Sequence, residues 1–413
     1  MTTDTLDCRF CGTPLSQTFA DLGCTPLANS YVAPDTDASE DPTYPLHARV
    51  CGACFLVQVE DVVPAEDIFS DYAYFSSYSE SWVAHARAYA DMAINRFELN
   101  ENHSVIEVAS NDGYLLQHFA AKNIPVLGIE PAANVAKEAE ARGVPTRTAF
   151  FGAELATELR REGVQADLLA GNNVLAHVPD LNDFVAGLAI LLAEDGVLTM
   201  EFPHLLRLIE DVQFDTIYHE HYSYFSLLVV ERVFATHGLQ LFDVEELPTH
   251  GGSLRIFARR ADGSNRGEGA GLTAVRAAES TAQLDQLETY AGFQPRVEAV
   301  RQGLLDFLSQ AATNGQQVAA YGAAAKGNTL LNFCGVKADQ ILFVADVSPH
   351  KQDKLLPGSR IPIVAPEHIR ETKPDRVLIL PWNLKAEITT AHAYVRDWDG
   401  NFVIAVPELT VLP

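Results

Sequence analysis

Residues 104–113 read Ser104-Val105-Ile106-Glu107-Val108-Ala109-Ser110-Asn111-Asp112-Gly113, a short, largely apolar run that ends in a polar turn and a late glycine. Such a run fits a strand buried in a parallel sheet, and Tyr114–Lys122 beyond it has helical character, so the segment predicts strand, turn and helix in that order. In open α/β folds this turn is where nucleotides bind. The G-x-G-x-x-G of dinucleotide folds is absent. A pyrophosphate needs several glycines for close backbone approach, whereas a ligand without phosphates, such as S-adenosylmethionine, tolerates Ala109, Asn111 and the single Gly113.

The alternation continues outward from this unit. Val126–Glu130, Asp167–Asn172 and Gly196–Glu201 read as further buried strands, with helical stretches at Ala132–Arg142, Phe151–Glu162 and Leu181–Leu192 between them and another near Ser81–Phe97 ahead of the first. That order implies right-handed β-α-β units in a doubly wound sheet. Past a Gly- and Ala-rich link near Asp262–Gly271 and a helical stretch near Thr281–Ala312, the pattern restarts with strands at Val318–Tyr321, Ile341–Ala345, Ile361–Val364 and Val377–Leu380. The 413 residues are therefore expected to form an α/β protein of three parts. These are a small module over 1–65, a Rossmann-like domain over 66–260 and a second Rossmann-like α/β domain over 261–413.

The first part carries two C-x-x-C pairs, Cys8/Cys11 and Cys51/Cys54, while Cys24 and Cys334 stand alone. No apolar run approaches the ~18 residues of a membrane span, and the N-terminus lacks a basic region followed by an apolar one, so a cytoplasmic chain is expected. There, paired cysteines favour a metal over disulfides, and four thiolates closing a tetrahedral shell make a structural zinc site. The rest of this part reads as loop-rich, with the acidic, proline-containing stretch 33–45 as an insertion. With 29 basic against 55 acidic residues the formal charge is −26, which opposes binding to nucleic acid or to an anionic membrane.

Two further features belong with the first turn. The second strand ends in Glu130-Pro131, where a carboxylate can accept hydrogen bonds from both hydroxyls of an adenosine ribose, and Asn172-Asn173 closes the third strand over the same pocket. Glu107, Ala109, Asn111, Gly113, Glu130, Pro131, Asn172 and Asn173 are thus the expected S-adenosylmethionine contacts. Phe214–Phe225 gathers two histidines, three tyrosines and the Glu220 carboxylate, Tyr218-His219-Glu220-His221-Tyr222 at its centre, into a stretch with no clear apolar face. The histidines lie two apart and point to different sides, so this is not the H-E-x-x-H of a zinc protease. Acid–base chemistry suits the residue types, because histidine titrates near neutrality and a neighbouring carboxylate can fix its tautomer. Spacing alone leaves His219 and His221 equally eligible as the base. Tyr72 and His177 stand apart and face the same cleft only if the fold brings them there.

In the C-terminal part, Tyr321-Gly322-Ala323-Ala324-Ala325-Lys326-Gly327-Asn328 ends a strand and opens a helix with small side chains. Backbone N–H groups and Lys326 are then available to a pyrophosphate, or the small residues serve helix–sheet packing. Asp346 ends the next strand in position for a ribose or base, and the turn at His250-Gly251-Gly252 leading to Arg255 can reach a sugar or its phosphates.

Together the four-cysteine module, Glu107–Gly113, Tyr218–Phe225 and Tyr321–Asn328 make the chain resemble, over nearly its whole length, the sugar C-methyltransferases that act on dTDP-linked 4-keto-deoxyhexoses in antibiotic biosynthesis, the C-3′-methyltransferases of D-tetronitrose formation in particular. The resemblance implies that His221 removes the proton beside the ketone, with Tyr72, His177, Tyr218 and Glu220 as the other active-site residues. It also implies a C-terminal domain that helps hold the sugar nucleotide; Lys326, Gly327, Asn328 and Asp346 of that domain, with Tyr222 and Arg255 of the middle one, are the expected substrate contacts. The chain is expected to act as a monomer and to methylate C-3; C-5, the other carbon beside a 4-ketone, is the alternative. The chemistry agrees: the ketone acidifies the adjacent C–H, and the enolate carbon can attack a sulfonium methyl group, provided a donor holds the enolate oxygen. A dinucleotide-dependent oxidoreductase or epimerase and an inactive scaffold are the rival readings.

Overall fold

A computed structural model describes residues 6–37, 41–65, 68 and 75–412. Three sheets organise them. The middle one has seven strands in the order Leu239–Leu247, Ser253–Arg260, Leu192–Pro203, Ala166–Asn172, Val105–Val108, Val126–Ile129 and Thr146–Arg147. From Leu192–Pro203 to Thr146–Arg147 the neighbours are parallel, and the first two strands add an antiparallel edge. Val105–Val108 is buried at every residue, Glu107 included, as a strand with helices on both faces of its sheet must be. The hairpin at 239–260 was not expected from the sequence, in which paired charges at Glu245-Glu246 and Arg259-Arg260 interrupt the alternation of a strand.

The C-terminal sheet has six strands, Ile363–Val364, Val344–Ala345, Val318–Tyr321, Arg376–Ile379, Asn401–Ile404 and Thr410–Leu412, parallel except for the last. The chain is thus an α/β protein with two Rossmann-like sheets. No helix among the described residues is long and apolar enough to cross a membrane.

The N-terminal part departs from the loop-rich expectation. It contains antiparallel strands at Gln17–Thr25, Tyr44–Val50 and Val57–Gln58, and its fourth strand, Ser223–Tyr224, comes from the end of the histidine-rich segment. The reason is tertiary. Phe19 stacks on Phe293 of the long helix Phe293–Thr313 with ring centroids 4.3 Å apart, and the core that starts there runs through Phe214 and Ile217 to Leu330 and Val344 of the C-terminal part. Each such aromatic or aliphatic side chain contributes about 1.5–3 kcal/mol on burial. One core therefore fixes both flanks of residues 214–224.

Candidate active site

The turn after Val105–Val108 bends through left-handed backbone at Ala109 (φ 56°), Asn111 (φ 48°) and Gly113 (φ 76°). Left-handed geometry at two non-glycine residues costs on the order of 1–3 kcal/mol each and persists only where surrounding contacts impose it. Those contacts are on view. The Glu130 carboxylate accepts the Asn111 N–H at 2.9 Å through Oε2 and the Ala132 N–H at 2.9 Å through Oε1. Asn111 Oδ1 accepts the Ser76 N–H at 2.8 Å, and Arg142 pairs with Asp112 at 2.8 Å. Pro131 follows Glu130 at the head of the helix Ala133–Ala141.

On the strand just before this turn the Glu107 carboxylate is fully buried beside Tyr114, and among the described residues neither oxygen meets a donor with full hydrogen-bond geometry. Burial pushes its carboxyl well above the usual range. A buried carboxylate short of donors, next to a turn shaped by its own hydrogen bonds, suits a ligand with cationic groups; S-adenosylmethionine carries an ammonium and a sulfonium. Asn172 donates to the Tyr114 hydroxyl at 3.3 Å, and Asn173, at φ 54°, faces His250 Nε2 at 3.3 Å.

Next to this pocket the segment 214–224 folds as a short 3-10 turn, Phe214–Thr216, then a loop, then the strand Ser223–Tyr224. Ile217 and Tyr222 are sealed in the interior, while Tyr218 and His221, three residues apart, are half-buried. His221 donates Nδ1–H to the Thr216 carbonyl at 3.1 Å, which fixes the tautomer, and its Nε2 accepts the Tyr218 hydroxyl at 2.7 Å. His177, from the 3-10 turn Leu175–His177, lies edge-on to His221 with centroids 4.7 Å apart and donates Nδ1–H to the Glu220 carbonyl at 2.7 Å. Desolvation holds His221 well below its ordinary pKa and lowers His177 to about 4. Both are neutral imidazoles at neutral pH. The Glu220 carboxyl, pushed up to about 7 by burial, accepts from Asn29 of the N-terminal part at 2.7 Å. His219 turns the other way, toward the Pro45 carbonyl at 3.2 Å, and is 2% exposed. Of the two histidines, His221 is the one that packs with His177 and Tyr218.

His221, Tyr218, His177 and Glu220 are brought together; Tyr72 lies outside the described residues. Tyr222 does not join them: its ring is 1% exposed, with the Arg9 guanidinium 5.4 Å from its centre. Arg255 also stays out of the cleft. It is 5% exposed within the middle sheet, bound to Glu201 at 2.7 Å and Glu245 at 3.1 Å, because a guanidinium buried there needs carboxylates. Gly327 and Asn328 serve packing. A Cβ at Gly327 would fall 2.8 Å from Leu380, and Asn328 donates to the Ala28 carbonyl at 2.6 Å. Asp346 accepts the N–H groups of Ala323 at 2.7 Å and Ser348 at 2.8 Å, so it shapes the loop at the end of Val344–Ala345. Lys326 donates to Asn383 Oδ1 at 2.8 Å, and its charge helps to lower His221 and His250. The sequence reading missed Asp215, Trp382 and Asn29; it had His250 only as part of the Gly251-Gly252 turn, with no role of its own.

The four cysteine sulfurs lie within 4.8 Å of one another, with Cys8 and Cys54 at 3.6 Å and Cys11 and Cys51 at 3.5 Å. These distances exceed the ~2.05 Å of a disulfide and approach the edge of about 3.8 Å that follows for a tetrahedron of sulfurs ~2.3 Å from zinc. Four protein ligands leave no open position, so the zinc is structural.

A Rossmann-like sheet with this turn and an adjoining acid–base cluster defines an S-adenosylmethionine-dependent methyltransferase. Three family models match the chain: "Putative zinc binding domain" over residues 8–69, "Methyltransferase domain" over 82–244 and "C-methyltransferase C-terminal domain" over 248–407. The C-methyltransferase NovU of Streptomyces niveus is 36% identical over 406 residues, which span 98% of this chain and 96% of NovU. The chain belongs to the C-methyltransferase family that includes NovU, which sets aside the oxidoreductase and scaffold readings. Among solved structures, magnesium protoporphyrin IX methyltransferase from Synechocystis with bound S-adenosylhomocysteine is 16% identical over 43% of this chain and 83% of that one, with a TM-score of 0.36. YcgJ of Bacillus subtilis is 12% identical over 43% of this chain and 99% of its own, with a TM-score of 0.34.

Proposed function

We propose that the enzyme methylates C-3 of a dTDP-linked 4-keto-deoxysugar and that the Tyr218–His221 pair removes the proton from that carbon, the proton ending on His221 Nε2. The observation that carries this reading is the hydrogen bond from Tyr218 to a neutral, tautomer-fixed His221 in a half-buried cleft beside the cofactor turn. A carbon acid is deprotonated by a neutral base near its own pKa, and a ketone is the common means of making a sugar C–H that acidic. His177 keeps the His221 ring in place, and Glu220 ties the cluster to the N-terminal part through Asn29. When bound, S-adenosylmethionine supplies the methyl group, with Glu130 accepting its ribose hydroxyls and Glu107 its cationic end. C-3 and dTDP rest on the family resemblance.

A groove of about 480 Å³ supports the nucleotide part of this reading. It opens between Asn29–Tyr31, Phe75, Asn134 and the C-terminal loop bearing His350, Lys351 and Lys354. In a chain of net charge −26, three groups that are or can become cations on one groove suit a diphosphate. The three-part division at residues 65 and 260 follows the same logic, with the sugar nucleotide held between the second and third parts.

The test is NMR of the products and of proton–deuterium exchange with a panel of 4-keto sugar nucleotides. Exchange and methylation at C-3 are expected. Exchange confined to C-5 would move the chemistry to that carbon, and no exchange at either would remove the reading.

A further inference from the structure

We infer that Lys326 is a catalytic residue of the reaction proposed above: its ammonium donates to the substrate's ketone oxygen as the neighbouring carbon loses its proton, and so stabilises the enolate. This rests on that reading of the cleft, and it departs from the phosphate-binding role that the sequence suggested for the same side chain.

Lys326 lies in the first turn of the helix Ala325–Cys334. Thr329, one turn on along the same face, donates to the Ile217 carbonyl at 3.0 Å, so this face abuts the residue that leads into Tyr218. The ammonium itself is held at two points. It donates to Asn383 Oδ1 at 2.8 Å and lies 4.6 Å from the centre of the Trp382 ring. Trp382 in turn donates Nε1–H to Asp215 Oδ2 at 2.7 Å, and Asp215, two residues before Ile217, is fully buried with no partner for Oδ1 among the described residues. The opposite edge of the indole meets Gly251, where a Cβ would fall 2.5 Å from the ring, so the cluster is continuous with His250.

This arrangement turns a cation toward imidazoles. The charge of Lys326 helps to lower both His221 and His250, and Asp215 opposes the burial that lowers Lys326. An ammonium has three N–H groups, and Asn383 takes one. Neutral imidazoles need no cation beside them in the resting enzyme. A negative charge that develops on an oxygen during the reaction does. Meanwhile the diphosphate has its own groove at His350, Lys351 and Lys354, whose lining does not include Lys326.

In the step, the C–H bond breaks and its proton goes to the Tyr218–His221 pair. The bonding electrons form the C=C of the enolate, and the carbonyl π electrons move to the oxygen that Lys326 hydrogen-bonds. Lys326 keeps its proton, and no oxidant or reductant is needed.

Proton–deuterium exchange at the carbon beside the ketone, followed by NMR with S-adenosylhomocysteine bound, isolates this step. Lys326→Met should slow exchange at saturating substrate by about 100-fold or more, the usual effect of deleting one oxyanion donor, while the dissociation constant for dTDP changes less than about two-fold. Lys326→Arg should restore part of the rate. Exchange at the wild-type rate in Lys326→Met overturns the inference, and so does weakened dTDP binding with exchange at saturation unchanged. If the Met variant loses S-adenosylhomocysteine binding, Lys326→Gln, which can keep the contact to Asn383, carries the same expectation. No exchange by the wild-type enzyme would overturn the proposed function itself, an outcome distinct from exchange that survives the substitution.

Discussion

The Tyr218 hydroxyl donates to Nε2 of His221 at 2.7 Å while the two rings lie with centroids 4.1 Å apart. The geometry makes the pair a unit: the hydroxyl covers Nε2, the nitrogen proposed to receive the proton, and the Thr216 carbonyl holds the other nitrogen protonated. His221→Asn should cut proton–deuterium exchange by about 100- to 10,000-fold, the range for loss of a general base, and Tyr218→Phe by a smaller factor. Calorimetry with S-adenosylhomocysteine should show unchanged affinity in both. Near-normal exchange in His221→Asn would move the base elsewhere.

The pH dependence follows from the same burial. His221 works as a base only when neutral, so activity is present above its folded pKa, and desolvation puts that pKa well below the ordinary histidine range. Glu220, whose carboxyl is pushed up to about 7 by burial, titrates much nearer neutrality. The profile of kcat/KM should therefore bend near pH 7 in the wild type as Glu220 ionises. In Glu220→Gln that bend should vanish, leaving an acid limb below the usual histidine range. A limb persisting at about 6.5, the model-peptide histidine value, in Glu220→Gln would mean that an ordinary, solvated imidazole is the base.

The first strand and turn were legible because their signals are local: an apolar run, a polar turn and Gly113 sit within ten residues. The parallel strands were found for the same reason. The N-terminal sheet was not, since Ser223–Tyr224 joins it from more than 160 residues beyond Val57–Gln58, and no period in the sequence carries such a pairing. Within the site, Tyr218, Glu220 and His221 announced themselves by density. Asp215 and Trp382 did not, because their hydrogen bond spans 167 residues. Lys326 was found, but its surroundings were not, and a lysine on a small-residue turn reads as a phosphate ligand until Trp382 and Asp215 are seen beside it.

Glu130 holds the backbone of the turn, and the proposed function gives it a second duty to the cofactor. Each oxygen already accepts one N–H, from Asn111 or Ala132, and retains a second acceptor position. Glu130→Ala strips both N–H groups of their partner, at about 1–3 kcal/mol each when buried. The variant should lose thermal stability and bind S-adenosylhomocysteine at least about ten-fold more weakly. Stability lost with affinity intact would confine Glu130 to shaping the turn.

Zinc should matter to the cleft as well as to its own module. Gln58 donates to Cys8 Sγ at 3.2 Å, and the strand Val57–Gln58 pairs with Ser223–Tyr224 directly after the loop that bears Tyr218 and His221. Chelation, or Cys8→Ser with Cys54→Ser, should release one zinc ion per chain by colorimetric assay. Stability and exchange should fall together. Full exchange in zinc-free enzyme would show that the pairing holds without the metal.

Gly251 offers the sharpest separation of strain from chemistry. Its φ of 88° disfavours any side chain, and a Cβ would sit 2.5 Å from Trp382, whose Nε1 holds Asp215 behind Lys326. Gly252, at φ 118°, is equally ill-suited to alanine, but its Cβ would meet Cγ of Arg207 at 2.7 Å and not the indole. Both alanine variants should lose stability, on the order of 1–3 kcal/mol from backbone strain alone. Only Gly251→Ala displaces the indole, so its exchange rate should fall at least about ten-fold below that of Gly252→Ala at matched fractions folded, with S-adenosylhomocysteine affinity alike in the two. Equal rates would show that the indole, and the Asp215 hydrogen bond it makes, can shift without consequence for proton removal.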